Sequence, residues 1–163
     1  FVLREGADAE LSGLAIEAGA YLQQLFQNDR LKKDFSPLPL QIGYHEPCHL
    51  RALKNGRPLR ELLDQIPELD VVTLDKGCSG MAGTFGLTRE NFELSLEIGR
   101  PLIEAMRAPD FVLGATECSS CRLQMQQDSP LETVHPIKLL AASYGLMPKL
   151  YDRLTKLAVA AES

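Results

Sequence analysis

Tryptophan is absent from this chain, and aromatic residues make up only 6% of its 163 positions. No stretch approaches the ~18 consecutive apolar residues of a membrane span, and no charged segment leads into an apolar core and a small-residue cleavage site. No direct membrane insertion is expected. Runs of Lys or Arg are missing too, and the formal charge is −5 with a pI near 5.2. The electrostatic attraction that drives binding to nucleic acid or anionic lipid therefore has nothing to act on. Long internal repeats and low-complexity segments are also lacking. There is no initiator Met: the chain opens on "FVLREGADAEL", which suggests a piece of a longer polypeptide with a face that meets another domain. The expected location is cytoplasmic.

What is present suits one folded domain: 45% hydrophobic and 24% charged residues, with enough length to bury a single core. From Asp8 to Gln27 apolar residues recur at three- and four-residue intervals, predicting a helix capped by Asp8. "NDRLKKDFSPLP" breaks it, so residues 1–36 read as a helical connector and 37–163 as the main domain. Beyond that point strands and helices alternate. Strands are expected at Leu40–Tyr44, Asp70–Leu74, Asp110–Ala115 and Leu131–Val134. Helices are expected at Pro58–Ile66, Thr88–Ala108 (capped by Thr88, with a kink or break near Gly99–Pro101), Cys118–Asp128, Pro136–Gly145 and Lys149–Ala160. The pattern predicts an α/β fold, a small parallel sheet of about four strands with helices on both faces.

Four cysteines occur, too few and in too large a chain for a disulfide-stapled miniprotein. Each follows a predicted strand: Cys48 the first, Cys78 the second, Cys118 the third, with Cys121 one helical turn later. In a parallel sheet these strand ends share one edge, where ligand sites form. A lone buried cysteine is usually packing, but packing does not account for four thiols at one edge. Cys118 and Cys121 have the C-x-x-C spacing of two ligands to one metal and would open a helix, where thiolates are favoured. A thioredoxin-like dithiol would leave Cys48 and Cys78 without a role. Four thiolates fit zinc or an iron–sulfur cluster equally well by ligand type. All three histidines fall near the same edge, His45 and His49 around Cys48 and His135 after the fourth strand. His45 and His135 are expected to donate N–H to sulfur rather than to ligate.

The segment "DKGCSGMAGTFG" spaces Gly77, Gly80, Gly83 and Gly86 around Cys78. It matches neither G-x-G-x-x-G nor a P-loop and lacks the phosphate-binding lysine; nor does it spell the G-x-S-x-G of a hydrolase around Ser79. The glycines are expected to give positive φ and to clear space beside a metal centre, with Gly80 and Ser79 next to it.

"YHEPCHLRAL", "GCSGMAGTFG", "GATECSSCRLQMQ" and "HPIKLLA" together resemble, in order and spacing, the cysteine-rich CCG domain. That domain occurs in the C subunit of anaerobic glycerol-3-phosphate dehydrogenase, glycolate oxidase iron–sulfur subunits, the B subunit of heterodisulfide reductase and large FAD-linked oxidases. The "GMAGTFG…ENFE" segment resembles the first of these most. The resemblance covers about Pro37 to Leu146 and implies Cys48, Cys78, Cys118 and Cys121 as ligands of an iron–sulfur cluster of the 4Fe-4S kind, or of zinc. The family pattern has a further cysteine where this chain has Ser79, so four thiolates remain of five. It further implies a non-catalytic electron-transfer domain of a flavin-linked oxidoreductase. Its partners would be a flavin dehydrogenase and a second CCG or ferredoxin-like module, with peripheral attachment at the inner membrane through partner subunits. The alternative is a zinc-stabilised docking module that carries no electrons.

Overall fold

The structure, a computed structural model, describes residues 15–107 and 110–161. Four parallel strands form one sheet: β1 (Leu40–Tyr44), β2 (Leu69–Thr73), β3 (Leu113–Ala115) and β4 (Thr133–Val134), in the spatial order β2-β1-β3-β4. Seven α-helices surround it among the described residues: α1 (Ala18–Gln27), α2 (Cys48–Leu53), α3 (Pro58–Leu63), α4 (Phe92–Ala105), α5 (Ser119–Gln127), α6 (Pro136–Ser143) and α7 (Pro148–Ala161). The α/β fold expected from the alternating pattern is the one observed.

Alternate residues of each strand face opposite layers. Leu40, Ile42 and Tyr44 join Leu113 and Ala115 in the larger core, packed with α3, α6 and α7. On the other face Leu74, Leu102, Met106, Phe111 and Met125 form a smaller core beneath α4 and α5. Glycines in the two central strands let that layer approach closely. A Cβ on Gly43 would lie 3.3 Å from the Met106 sulfur, and one on Gly114 would lie 2.6 Å from the Met106 methyl.

Several boundaries differ from expectation. Helix α1 begins at Ala18, because the extended Glu17 turns its carboxylate onto the N–H groups of Gly19 and Ala20 at 2.9 and 2.8 Å. The predicted cap Asp8 lies outside the described residues. Helix α4 starts after Asn91 rather than Thr88, whose hydroxyl instead accepts from the Asn91 side chain at 2.9 Å. It also runs through Pro101 without a break. Pro101 and Glu97, four residues before it, are both exposed, so the carbonyl left without a helical donor can turn to water. The six-residue α2 was not expected, being too short to show periodicity.

The register aligns the last residues of the strands, Thr73, Tyr44, Ala115 and Val134, in one row across the sheet. Past β1 the chain crosses to β2 on one side and later returns to β3 on the other. The crevice of such a sheet opens between these two central strands at their carboxyl ends.

Candidate metal centre

Three chain segments meet at that crevice. Helix α2 begins at Cys48 directly after Pro47, β2 runs on into the loop carrying Cys78, and β3 leads through Thr116 and Glu117 to Cys118, the N-cap of α5. Cys121 lies within α5. All four cysteines, with His45, His49, Ser79 and Met81 among others, line one cavity of about 250 Å³. Exposure is graded: Cys48 is exposed, Cys78 and Cys118 are half-buried, and Cys121 is buried.

Hydrogen bonds hold three of the sulfurs. Gly80 N–H donates to Cys78 Sγ at 3.3 Å, Cys121 N–H to Cys118 Sγ at 3.5 Å, and the Ser79 hydroxyl to Cys121 Sγ at 3.2 Å. Burial pushes the Cys121 thiol up to about 12; Ser79 opposes that rise, while the sulfurs of Cys118 and Cys48 add to it. A bound cation would reverse this balance, since metal coordination deprotonates a thiol outright. The Cys121 thiol thus stays neutral until positive charge arrives. The donor set, the space and the inward N–H groups fit an iron–sulfur cluster. Among the described residues no three His, Cys, Asp or Glu side chains are placed to hold a single metal ion.

The histidines divide. His45 is 1% exposed and lines the cavity, its pKa lowered to about 4 by burial and then by Arg51. His49 lines it as well. His135, expected beside the sulfurs, is not among the lining residues: its Nδ1 accepts from Ile137 N–H at 3.2 Å and caps α6.

The glycine loop has the positive φ expected at Gly77, Gly80 and Gly83, but not at Gly86. The space it clears is elsewhere. A Cβ on Gly80 would fall 2.0 Å from the Ser95 carbonyl oxygen, one on Gly86 2.2 Å from Ser95 Oγ, and one on Gly99 2.3 Å from the Ser79 carbonyl oxygen. Gly80 and Gly99 let the loop lie directly on the backbone of α4, while at Gly86 a Cβ would meet the Ser95 side chain and, at 2.8 Å, the sulfur of the cavity-lining Met81. Arg51 ties the loop to α2 from the other side, donating to Gly77 O at 3.2 Å.

Sequence reasoning passed over Ser95 and Gln124. Both are buried, and Gln124 Nε2 donates to Ser95 O at 2.9 Å, stapling α5 to α4. It also passed over Glu117, whose Oε1 accepts from Tyr44 Oη at 3.0 Å while Oε2 is buried without a partner. Burial raises Glu117 to about 7, against the pull of the Tyr44 hydroxyl. Its position one residue before Cys118 was the available signal.

Fold and cavity define a class: an α/β domain that gathers four thiols from the ends of parallel strands into one cavity. Residues 42–126, just over half of the chain, match the CCG cysteine-rich domain, and the chain belongs to that family. It is 40% identical to the C subunit of anaerobic glycerol-3-phosphate dehydrogenase from Escherichia coli over 105 residues, covering 64% of this chain and 26% of that protein. Over 120 residues it is 28% identical to a probable glycolate oxidase iron-sulfur subunit of Bacillus subtilis, covering 67% of this chain and 27% of that one. Over 107 residues it is 27% identical to the B subunit of fumarate reductase (CoM/CoB) from Methanothermobacter marburgensis, covering 64% and 22%. The chain thus spans about a quarter of the length of these relatives. No solved structure matches it.

Proposed function

We propose that this domain is the iron–sulfur electron-transfer part of a flavin-linked dehydrogenase complex, of the kind to which the C subunit of glycerol-3-phosphate dehydrogenase belongs. One observation carries the reading: cysteines from separate segments line a single cavity at the switch point of a parallel sheet. Cys48, Cys78, Cys118 and Cys121 would hold the centre. When bound, it would accept and pass on one electron at a time. The chain's own residues anchor the sulfurs through Gly80 N–H, Cys121 N–H and the Ser79 hydroxyl. Burial of Cys121 and His45 limits water on the inner side, and the exposed Cys48 marks the open one.

Zinc is the rival ligand, and four thiolates suit it chemically. The partners on the electron-transfer reading are a flavin dehydrogenase and a second cysteine-rich or ferredoxin-like module. The domain acts in the cytoplasm, held at the inner membrane by those partners. No described helix is long and apolar enough to cross a membrane. Residues 1–36 serve as the connector to the preceding module.

Anaerobic reconstitution with iron and sulfide, followed by metal and sulfide analysis, tests the proposal. Several irons with matching sulfide per chain are expected. Stoichiometric zinc that iron and sulfide cannot displace would select the docking module instead.

A further inference from the structure

Three of the four sulfurs accept a hydrogen bond, and two of the donors are backbone N–H groups that come with the loop and the helix start. The third, the Ser79 hydroxyl, is a side-chain choice. Ser79 is 1% exposed and is held at both ends. Its carbonyl lies over Gly99 of α4, where an added Cβ would be 2.3 Å away, and its Oγ donates to Cys121 Sγ at 3.2 Å. Cys121 is the most buried of the four cysteines. A fixed, neutral O–H dipole therefore points at the sulfur that water reaches least.

We propose that Ser79 is a positioning residue that raises the reduction potential of the bound centre through its hydrogen bond to Cys121, and is not itself a ligand. The inference rests on the electron-transfer reading above. To ligate, Oγ would have to release its proton, yet the atom it faces is a sulfur that must itself be a thiolate to bind metal. With the centre bound, an electron supplied by a reduced flavin would place more negative charge on Cys121 Sγ without breaking a bond, and the Ser79 hydroxyl, keeping its proton, would stabilise that reduced state more than the oxidised one. Low polarity around Cys121 strengthens the effect, because little water competes.

The test compares Ser79→Ala and Ser79→Thr with the wild-type chain after anaerobic reconstitution, by redox titration followed by EPR. Ser79→Ala is expected to lower the midpoint potential, by an amount approaching a tenfold loss in the reduced-to-oxidised ratio, about 59 mV for one electron. Ser79→Thr keeps a hydroxyl and is expected to return the potential toward wild type. Equal potentials in wild type and Ser79→Ala, or the same fall in both variants, would overturn the proposal and leave Ser79 a packing residue. Cobalt(II) alone supplies a second readout, independent of iron. Removing a donor to thiolate should move the sulfur-to-cobalt charge-transfer band to lower energy in Ser79→Ala but not in Ser79→Thr. If the wild type assembles no iron centre, the electron-transfer reading fails while the cobalt spectra still decide the hydrogen bond. Superimposable cobalt spectra, or uptake of neither metal, would overturn the Ser79 proposal as well.

Discussion

Gly77 and Gly80 lie three residues apart with similar positive φ, +78° and +88°, yet the structure gives them different tolerances. An alanine at 77 meets nothing within 4 Å, so only the backbone conformation resists it; a loss of about 1 to 2 kcal/mol is expected. An alanine at 80 collides with the Ser95 carbonyl as well, and a loss of about 3 kcal/mol or more follows. Urea unfolding of the two variants checks the contrast; equal losses would mean that the loop does not rest on α4. The titrating residues near the site act with opposite signs on the metal-free chain. His45 stays neutral in the fold down to about 4. The unfolded chain takes up that proton near its ordinary value of about 6.5, so stability is lost as pH falls from there toward 4, by on the order of 3 kcal/mol in full. Glu117 titrates near 7 in the fold against 4.5 ordinarily, so its contribution is lost as pH rises through that interval. The two intervals overlap from about 4.5 to 6.5, where the opposing slopes largely offset each other; in unfolding free energy measured against pH, His45→Asn should leave stability falling as pH rises through that interval, and Glu117→Gln should leave it rising.

Between elements, the α4–α5 contact fixes how the sulfurs of the C-x-x-C pair face the loop. Gln124 crosses it, donating to both Ser95 O and Ser95 Oγ at 2.9 and 3.3 Å. Replacing Gln124 with Leu removes both bonds and leaves a buried carbonyl short of a donor, with an expected cost of about 1 to 3 kcal/mol by thermal or urea unfolding. A change below about 0.5 kcal/mol would count against the staple. This contact also marks where the sequence stops being readable. Strand β2 announces itself by a β-branched run and β1 by its alternating apolar residues, and the cysteines follow the first three strands closely enough for their convergence to be foreseen. Gln124 looks like any polar residue in a weakly amphipathic helix, and its partner Ser95 lies 29 positions away. The glycine loop was readable in part: its backbone twist was foreseen, but the object its missing side chains avoid is α4, a neighbour that only the tertiary packing supplies. Pro101 misled for a similar reason, since exposure decides whether a missing helical bond is costly.

For the whole molecule, the sheet order is what makes four distant residues one site. Cys48, Cys78 and the Cys118–Cys121 pair leave three adjacent strands at a common edge, and the strand order β2-β1-β3 puts the switch point among them. Loss of any one thiol should therefore damage the same centre. Single Cys→Ser variants at 78, 118 and 121 are each expected to lower iron uptake at least severalfold, and a variant that retained full uptake would remove that residue from the ligand set. The exposed Cys48 marks the side of the cavity that is open. The most direct measurement is EPR spin quantitation of the anaerobically reconstituted chain during reductive titration. A four-cysteine iron–sulfur centre predicts uptake of about one electron per chain with a matching paramagnetic signal. A metal-loaded chain that takes up no electrons over the titration would contradict it.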